Sequence, residues 1–270
     1  MLSDDNDILS VQGMLPFLLD KGVSEKIYIH DLLESTNTTA KKLAVSGARH
    51  GTIIMAESQT AGRGRYGRSF ISLPGHGIYM SFILRLTKQQ WVATPTLVTS
   101  YAAVSVCEAI EATTGKEPKI KWVNDIFLNG KKICGILTEA VTDLENGSIQ
   151  WIIAGIGINF TTPAEGFPEE IKQIAGSVFG DRPTITRNRL AAEVADRMLV
   201  FESQYGNEAM LAEYKKRLMM IGKKVAVTGF NEPFEAIATD IDDTGRLIVK
   251  KGNGDVRDFV FSPSHKEQKG

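Results

Sequence analysis

The sequence predicts an α+β chain of mixed α/β character in two parts: a larger unit in which strands and helices interleave, then a small barrel-like module of short strands. Two observations carry this. Up to about residue 219 the spacing of apolar residues switches between the period of a strand and that of a helix. From about residue 221 only short alternating runs remain, separated by Gly/Asn/Asp turns. With 270 residues and 43% hydrophobic content, the chain can also bury one sizeable core and a lesser one beside it.

Taken in order, residues 1–26 form an N-terminal arm and residues 27–220 the larger unit. Ser35-Thr36-Asn37 offers capping hydroxyl and amide groups ahead of a short helix over Thr38–Ser46, which Gly47 stops. Gly51–Ser58 alternates as a strand, and Gly77–Leu86 does so more strongly, with Ile78, Met80, Phe82, Leu84 and Leu86 on one face. Thr96–Thr114 carries a helical stripe through Leu97, Tyr101, Val104 and Ala109, closed by Gly115. Lys119–Trp122 alternates as a strand, and Ile126–Leu128, Asn129-Gly130 and Ile133–Leu137 read as a hairpin around a type I′ turn. Trp151–Ile158 completes the strands, and helices are expected at Glu169–Val178, Arg187–Tyr205 and Glu208–Met219. The module from 221 to 270 holds strands at Val225–Val227, Phe234–Ile241, Leu247–Val249 and Val256–Phe261. Its turns fall at Gly229-Phe230-Asn231, Asp243-Thr244-Gly245 and Gly252-Asn253-Gly254, and a polar tail, Ser264–Gly270, is expected to fray.

Composition excludes several function classes. A formal net charge of −1 supplies no global basic field for bulk nucleic-acid binding, so any anion site must be local. The two cysteines, Cys107 and Cys134, lie in apolar segments and match no metal or redox spacing, as in a reduced cytosolic protein. The start of the chain is acidic and polar and no apolar run approaches 18 residues, so neither a signal peptide nor a membrane span is expected. The expected location is the cytoplasm.

Residues 59–70, Gln-Thr-Ala-Gly-Arg-Gly-Arg-Tyr-Gly-Arg-Ser-Phe, carry the strongest chemical signal. Gly62, Gly64 and Gly67 let the backbone approach a ligand, and Arg63, Arg65 and Arg68 have no acid within the stretch, so the segment is expected to await an external anion. The spacing also satisfies G-x-G-x-x-G. A dinucleotide site, however, needs a helix opening at the third glycine and an acid about 20 residues on; here turn residues and Arg85 follow. Two further stretches stand out. In Lys119-Ile120-Lys121-Trp122-Val123-Asn124-Asp125 the lysines share a face that is either solvated or one wall of a cleft, with Asn124 and Asp125 at the strand's exit. In Ala154-Gly155-Ile156-Gly157-Ile158-Asn159, glycines within a strand mean close approach, by a ligand or by the protein itself.

Together, and in this order, the motifs resemble the biotin protein ligase family. The likeness runs through Glu34-Ser35-Thr36-Asn37, Gln59–Arg68, Lys121–Asp125, Lys131-Lys132-Ile133-Cys134-Gly135-Ile136-Leu137 and Gly155–Asn159, and spans roughly residues 27–260. It implies a central mixed β-sheet with packed helices, of the class II synthetase-like kind, followed by an SH3-like barrel. It also implies a reaction in which biotin and ATP give biotinyl-5′-AMP, and a lysine of a biotin carboxyl carrier protein domain then takes the biotin. By matching motif positions, Lys121 would stabilise the charge developing between biotin and the α-phosphate, with Arg65 beside it. Biotin would be held by Ser35, Thr36, Asn37, Gln59, Gly62, Arg63, Gly64, Arg65, Lys121 and Gly135. ATP would be held by Arg65, Arg68, Phe70, Asn124, Lys132 and Asn159, with Mg2+ implied through ligands that the sequence does not name. Phe70 is equally well read as a core side chain.

Two positions depart from the family pattern. Val123 stands where proline is usual, and Phe261-Ser262-Pro263-Ser264-His265 lacks the usual glycine-containing strand. Many bacterial relatives carry an N-terminal helix-turn-helix domain. Fewer than 30 residues precede the motifs here, so no specific DNA binding is expected. The expected partner is a biotin-dependent carboxylase, and a homodimer is left open.

Overall fold

The computed structural model describes residues 7–85, 95–142, 149–200, 208–227, 234–251 and 256–259. The larger unit is built on a seven-stranded sheet: β1 (Ile27–Leu33), β2 (Thr52–Gln59), β3 (Gly77–Arg85), β4 (Lys119–Lys121), β5 (Asp125–Leu128), β6 (Lys131–Thr142) and β7 (Ile149–Asn159), in the order β1-β2-β3-β7-β6-β5-β4. Only β1 and β2 run parallel; the other neighbours are antiparallel, so the sheet is mixed. Asn129 and Gly130 both take positive φ, the geometry of a type I′ turn, and β5 and β6 close around them as the sequence predicts.

The two faces of the sheet are covered unequally. On one face the helices α1 (Val11–Met14), α3 (Pro95–Thr114), α4 (Arg187–Leu199) and α5 (Glu208–Arg217) contribute to a core that includes Ile53, Met80, Phe82, Ile120 and Ile158. On the other, the single short helix α2 (Thr36–Val45) lays Ala40 and Ala44 against Ile54, Ile83, Trp151 and Ile153. α2 packs against β2, β3 and β7, so this face remains open toward β5 and β6. The candidate site occupies that open part.

Residues 7–26 are more than an arm. Leu9, Met14, Leu18 and Val23 are buried in the larger core. Arg187, itself buried, bonds Glu57 through two nitrogens at 2.7 and 3.1 Å and pairs with Asp7 at 3.5 Å, joining this segment to α4 and β2. Cys107 and Cys134 are free and buried; burial pushes the Cys107 thiol up to about 12 and raises that of Cys134, which keeps both protonated and unreactive.

The predicted helix over Glu169–Val178 is not formed: those residues run as turns. Local turns run to Ile174, and the end of the stretch is then engaged by β6, with Ile174 O accepting from Lys132 N and Gly176 N donating to Lys132 O, both at 2.8 Å. The segment is a strap along the start of β6. α4 ends at Leu199, and residues 201–205 of the expected longer helix lie outside the described residues, as do Leu86, the turns at 229–231 and 252–254, Phe261 and the polar tail.

In the C-terminal module β8 (Lys224–Val227), β9 (Phe234–Ile241), β10 (Leu247–Lys250) and β11 (Val256–Phe259) form an antiparallel sheet in the order β11-β10-β9-β8. The Asp243-Thr244-Gly245 turn forms as expected, with Gly245 at φ 78°. Trp122 Nε1 donates to Gly245 O at 2.9 Å and Lys215 pairs with Asp240 at 2.5 Å, so the two modules are joined by specific polar contacts. Among the described residues no helix is long and apolar enough to cross a membrane.

Candidate functional site

The open part of the α2 face forms a cleft, open to solvent, with a cavity volume of about 170 Å3. Its floor is β6 and β7 at Gly135, Gly155 and Gly157, its walls are the start of α2 and the entry to β5 at Asn124 and Asp125, and the arginine-glycine segment roofs it. The floor glycines resolve the choice left open by the sequence. A Cβ on Gly155 would stand 2.1 Å from Asn37 Oδ1, and one on Gly157 would stand 2.6 Å from the Phe70 ring. These glycines admit side chains of the protein itself, which then shape the cavity.

At one end the chemistry is neutral and polar. Ser35 is the N-cap of α2 but makes no capping bond with its side chain; the helix begins at Thr36, earlier than predicted, and Ser35, Thr36 and Asn37 all line the cavity. Gln59 Oε1 accepts from Thr36 N at 2.8 Å and Gln59 Nε2 donates to Ser72 Oγ at 2.7 Å. Buried Ser81 Oγ lies 2.8 Å from Thr36 Oγ1 and 2.6 Å from Asn37 Oδ1. These bonds fix the side chains of Thr36, Asn37 and Gln59.

The other end is cationic. The roof is a small hairpin: Arg63 bridges to Ser69, Gly64 N donates to Arg68 O at 2.7 Å, and Tyr66 and Gly67 turn the chain at φ 58° and 72°. Gly62 keeps the hairpin closed, because its carbonyl accepts from Phe70 N and a Cβ there would lie 2.2 Å from Phe70 O. Arg65 bonds Asn124 Oδ1 and Tyr66 OH, both at 3.1 Å, and Asn124 is fixed in turn by Ile136 O at 2.9 Å. Lys132 Nζ pairs with Asp125 at 2.6 Å. Among the described residues Arg68 has no side-chain partner, while Arg63 reaches Glu139 on β6 at 3.2 Å. The segment therefore finds an acid beyond its own stretch, contrary to the expectation from local sequence. Burial alone would raise the Glu139 carboxyl; hydrogen bonds from Lys41 and Asn37 and the charges of Lys41 and Arg63 outweigh it and hold the group below the ordinary carboxylate range.

Of the residues predicted from sequence, Ser35, Thr36, Asn37, Gln59, Arg63, Gly64, Arg65, Arg68, Phe70, Asn124, Lys132 and Gly135 line this cavity. Lys121, Gly62 and Asn159 do not. The Lys121 side chain is exposed and its Nζ lies 5.9 Å from the centre of the Phe127 ring. β4 is an edge strand, and Lys121 pairs with Asp125 on β5, so it stands two strands away from β6, the floor strand that carries Lys132. Asn159 is turned to the strap, donating to Gly176 O at 2.9 Å. Sequence reasoning missed Ser72, Ser81 and Glu139, which act through residues far away in the chain and carry no local motif. The peptide bond before Val123 is cis.

The model of the biotin/lipoate A/B protein ligase family matches residues 29–159, and that of the biotin protein ligase C-terminal domain matches residues 220–262. The chain is 36% identical over 247 residues to a bifunctional ligase/repressor, BirA, of Bacillus subtilis, covering 86% of this chain and 71% of that one. It is 31% identical over 229 residues to a biotin--[acetyl-CoA-carboxylase] ligase of Mycobacterium tuberculosis, covering 81% and 80%. Its fold is similar to that of a biotin protein ligase from Aquifex aeolicus in complex with biotin and ATP, with a TM-score of 0.72 and 23% identity, covering 87% of this chain and 95% of that one.

Proposed function

The chain belongs to the biotin protein ligase family and is a biotin ligase, and we propose that this cavity performs an ATP-dependent reaction in two steps. First a carboxylate oxygen of biotin attacks the α-phosphorus of ATP, forming biotinyl-5′-AMP and expelling pyrophosphate. Then a lysine amine of the acceptor, a biotin carboxyl carrier protein domain of a biotin-dependent carboxylase, attacks the mixed anhydride; an amide forms and AMP leaves. DNA has no part in the proposal.

The observation that supports this reading best is the two-ended chemistry of one cavity. Ser35, Thr36, Asn37 and Gln59 form the end suited to the ureido ring, whose donors and acceptors are costly to bury unpaired. Arg65, Arg68 and Lys132 form the end suited to phosphate. Bringing a carboxylate against a polyphosphate places two anions in contact, and fixed cations in a closed site lower that barrier. Lys132 takes the role at the reacting junction that the sequence reading gave to Lys121, because Lys132 lines the cavity and Lys121 does not. Arg65, held over the mouth by Asn124, contacts the biotin–phosphate junction and retains the intermediate. Phe70, lying across Gly135 and Gly157, is placed to bound the adenylate.

Among the described residues no group of three or more His, Cys, Asp or Glu side chains could hold a metal, and Asp125 is the only carboxylate lining the cavity. In this proposal Mg2+ enters with the nucleotide substrate. The test is exchange of labelled pyrophosphate into ATP with biotin or lipoate as the acid. Exchange should require biotin, and exchange supported equally by lipoate would refute the assignment of the neutral end.

A further inference from the structure

Two cations converge on one oxygen of Glu139. Its side chain is 14% exposed, and Oε1 takes Lys41 Nζ at 2.6 Å and an Arg63 nitrogen at 3.2 Å, while Oε2 accepts from Asn37 Nδ2 at 2.9 Å. Glu139 is not among the residues lining the cavity, yet it touches both the roof, through Arg63, and the wall, through Asn37. One carboxylate facing two cations leaves a net positive charge. Lys41, nearer and 32% exposed, is held more firmly; Arg63, farther off and 47% exposed, is the one able to turn toward a second anion.

We propose that Glu139 is a positioning residue that acts through Arg63, setting the resting place of the roof hairpin so that a ligand meets an arginine already ordered against the wall. The inference rests on the adenylating reading above. Without the carboxylate, Lys41 and Arg63 repel each other, the base of the hairpin lifts, and each binding event must order it afresh. The loss falls on substrate binding, because Arg65 and Lys132 keep their own partners, Asn124 and Asp125.

The test is a double-mutant cycle on biotin-dependent pyrophosphate exchange. Glu139→Gln should raise KM for biotin about tenfold and change kcat less than about twofold. Arg63→Gln should raise KM at least as much, and adding Glu139→Gln to it should raise KM by less than about twofold further. If Glu139→Gln retains its full effect in the Arg63→Gln background, or lowers kcat while KM holds, the proposal is overturned. Should Glu139→Gln fail to fold, Glu139→Asp, which keeps the charge but shortens its reach, replaces it in the cycle with the same expected non-additivity. Arg63 is half exposed, so its replacement leaves the core intact. Exchange absent from the wild type would instead overturn the adenylating reading and this inference with it.

Discussion

Lys132 is held from both sides of the chain: its amide and carbonyl bond Ile174 and Gly176 of the strap, and its Nζ bonds Asp125. A cation fixed in this way can meet developing negative charge without first being reorganised. We expect Lys132→Gln to lower adenylate formation at least a hundredfold, on the order of 3 kcal/mol, whereas exposed Lys121→Gln should cost less than tenfold, measured by single-turnover formation of biotinyl-AMP. Equal losses would return Lys121 to the mechanism. Both lysines were legible in the sequence as members of motifs. The proposal of Lys132 over Lys121 rests instead on the position of β4 at the edge of the sheet and on a strap far downstream, neither of which leaves a local trace. Glu139 is the extreme case: a lone acid on a strand, given meaning only by Lys41, Arg63 and Asn37 arriving from other elements.

The elements themselves were legible where side-chain period decided them. β3, β7, α3 and the Asn129-Gly130 hairpin follow their apolar spacing and turn residues. Reading failed over residues 169–178, where the spacing allows a helix but local turns give way to bonds from Ile174 and Gly176 to Lys132 on β6. The roof hairpin lies between these cases: its glycines predicted close approach, but its pairing with Glu139 and Asn124 was hidden. That pairing sharpens the expectation for limited proteolysis. Arg63 and Arg65 are tied down, so trypsin should cut the free protein first after Arg68, which has no side-chain partner among the described residues and follows the Tyr66-Gly67 turn. Biotin with ATP should slow that cut, because closing the roof over ligand removes the bond from the protease. Cutting that is as fast in the ligated protein as in the free one would show that the hairpin does not act as a lid.

At the scale of the whole molecule, the strands of the second sheet begin at Lys224, just past the change of pattern near residue 221, while the residues that join the two sheets were read for another purpose. Trp122, within the Lys-Trp-Val-Asn-Asp motif, spends its indole N–H on Gly245 of the C-terminal module. The following residues, Asn124 and Asp125, line the cavity. One short stretch thus faces substrate at one end and the neighbouring module at the other, so the position of the C-terminal sheet and the shape of the cavity mouth share a single piece of backbone.

The buried cluster around Arg187 bears on where the gene can be cut. A match that begins at residue 29 invites an expression boundary there, yet Leu9, Met14, Leu18 and Val23 lie in the core, and Asp7 and Glu57 both answer Arg187. Burying four such side chains contributes at most about 6–12 kcal/mol, a range that spans most of the roughly 5–15 kcal/mol by which domains are stable. A chain started at Ile27 should be recovered insoluble or melt without a cooperative transition, while one started at Asp7 should unfold like the full sequence. Cooperative unfolding of the shorter chain within a few degrees of the longer would mean that the first segment is an ornament. Otherwise the smallest inheritable unit of this protein is longer than the stretch its family shares.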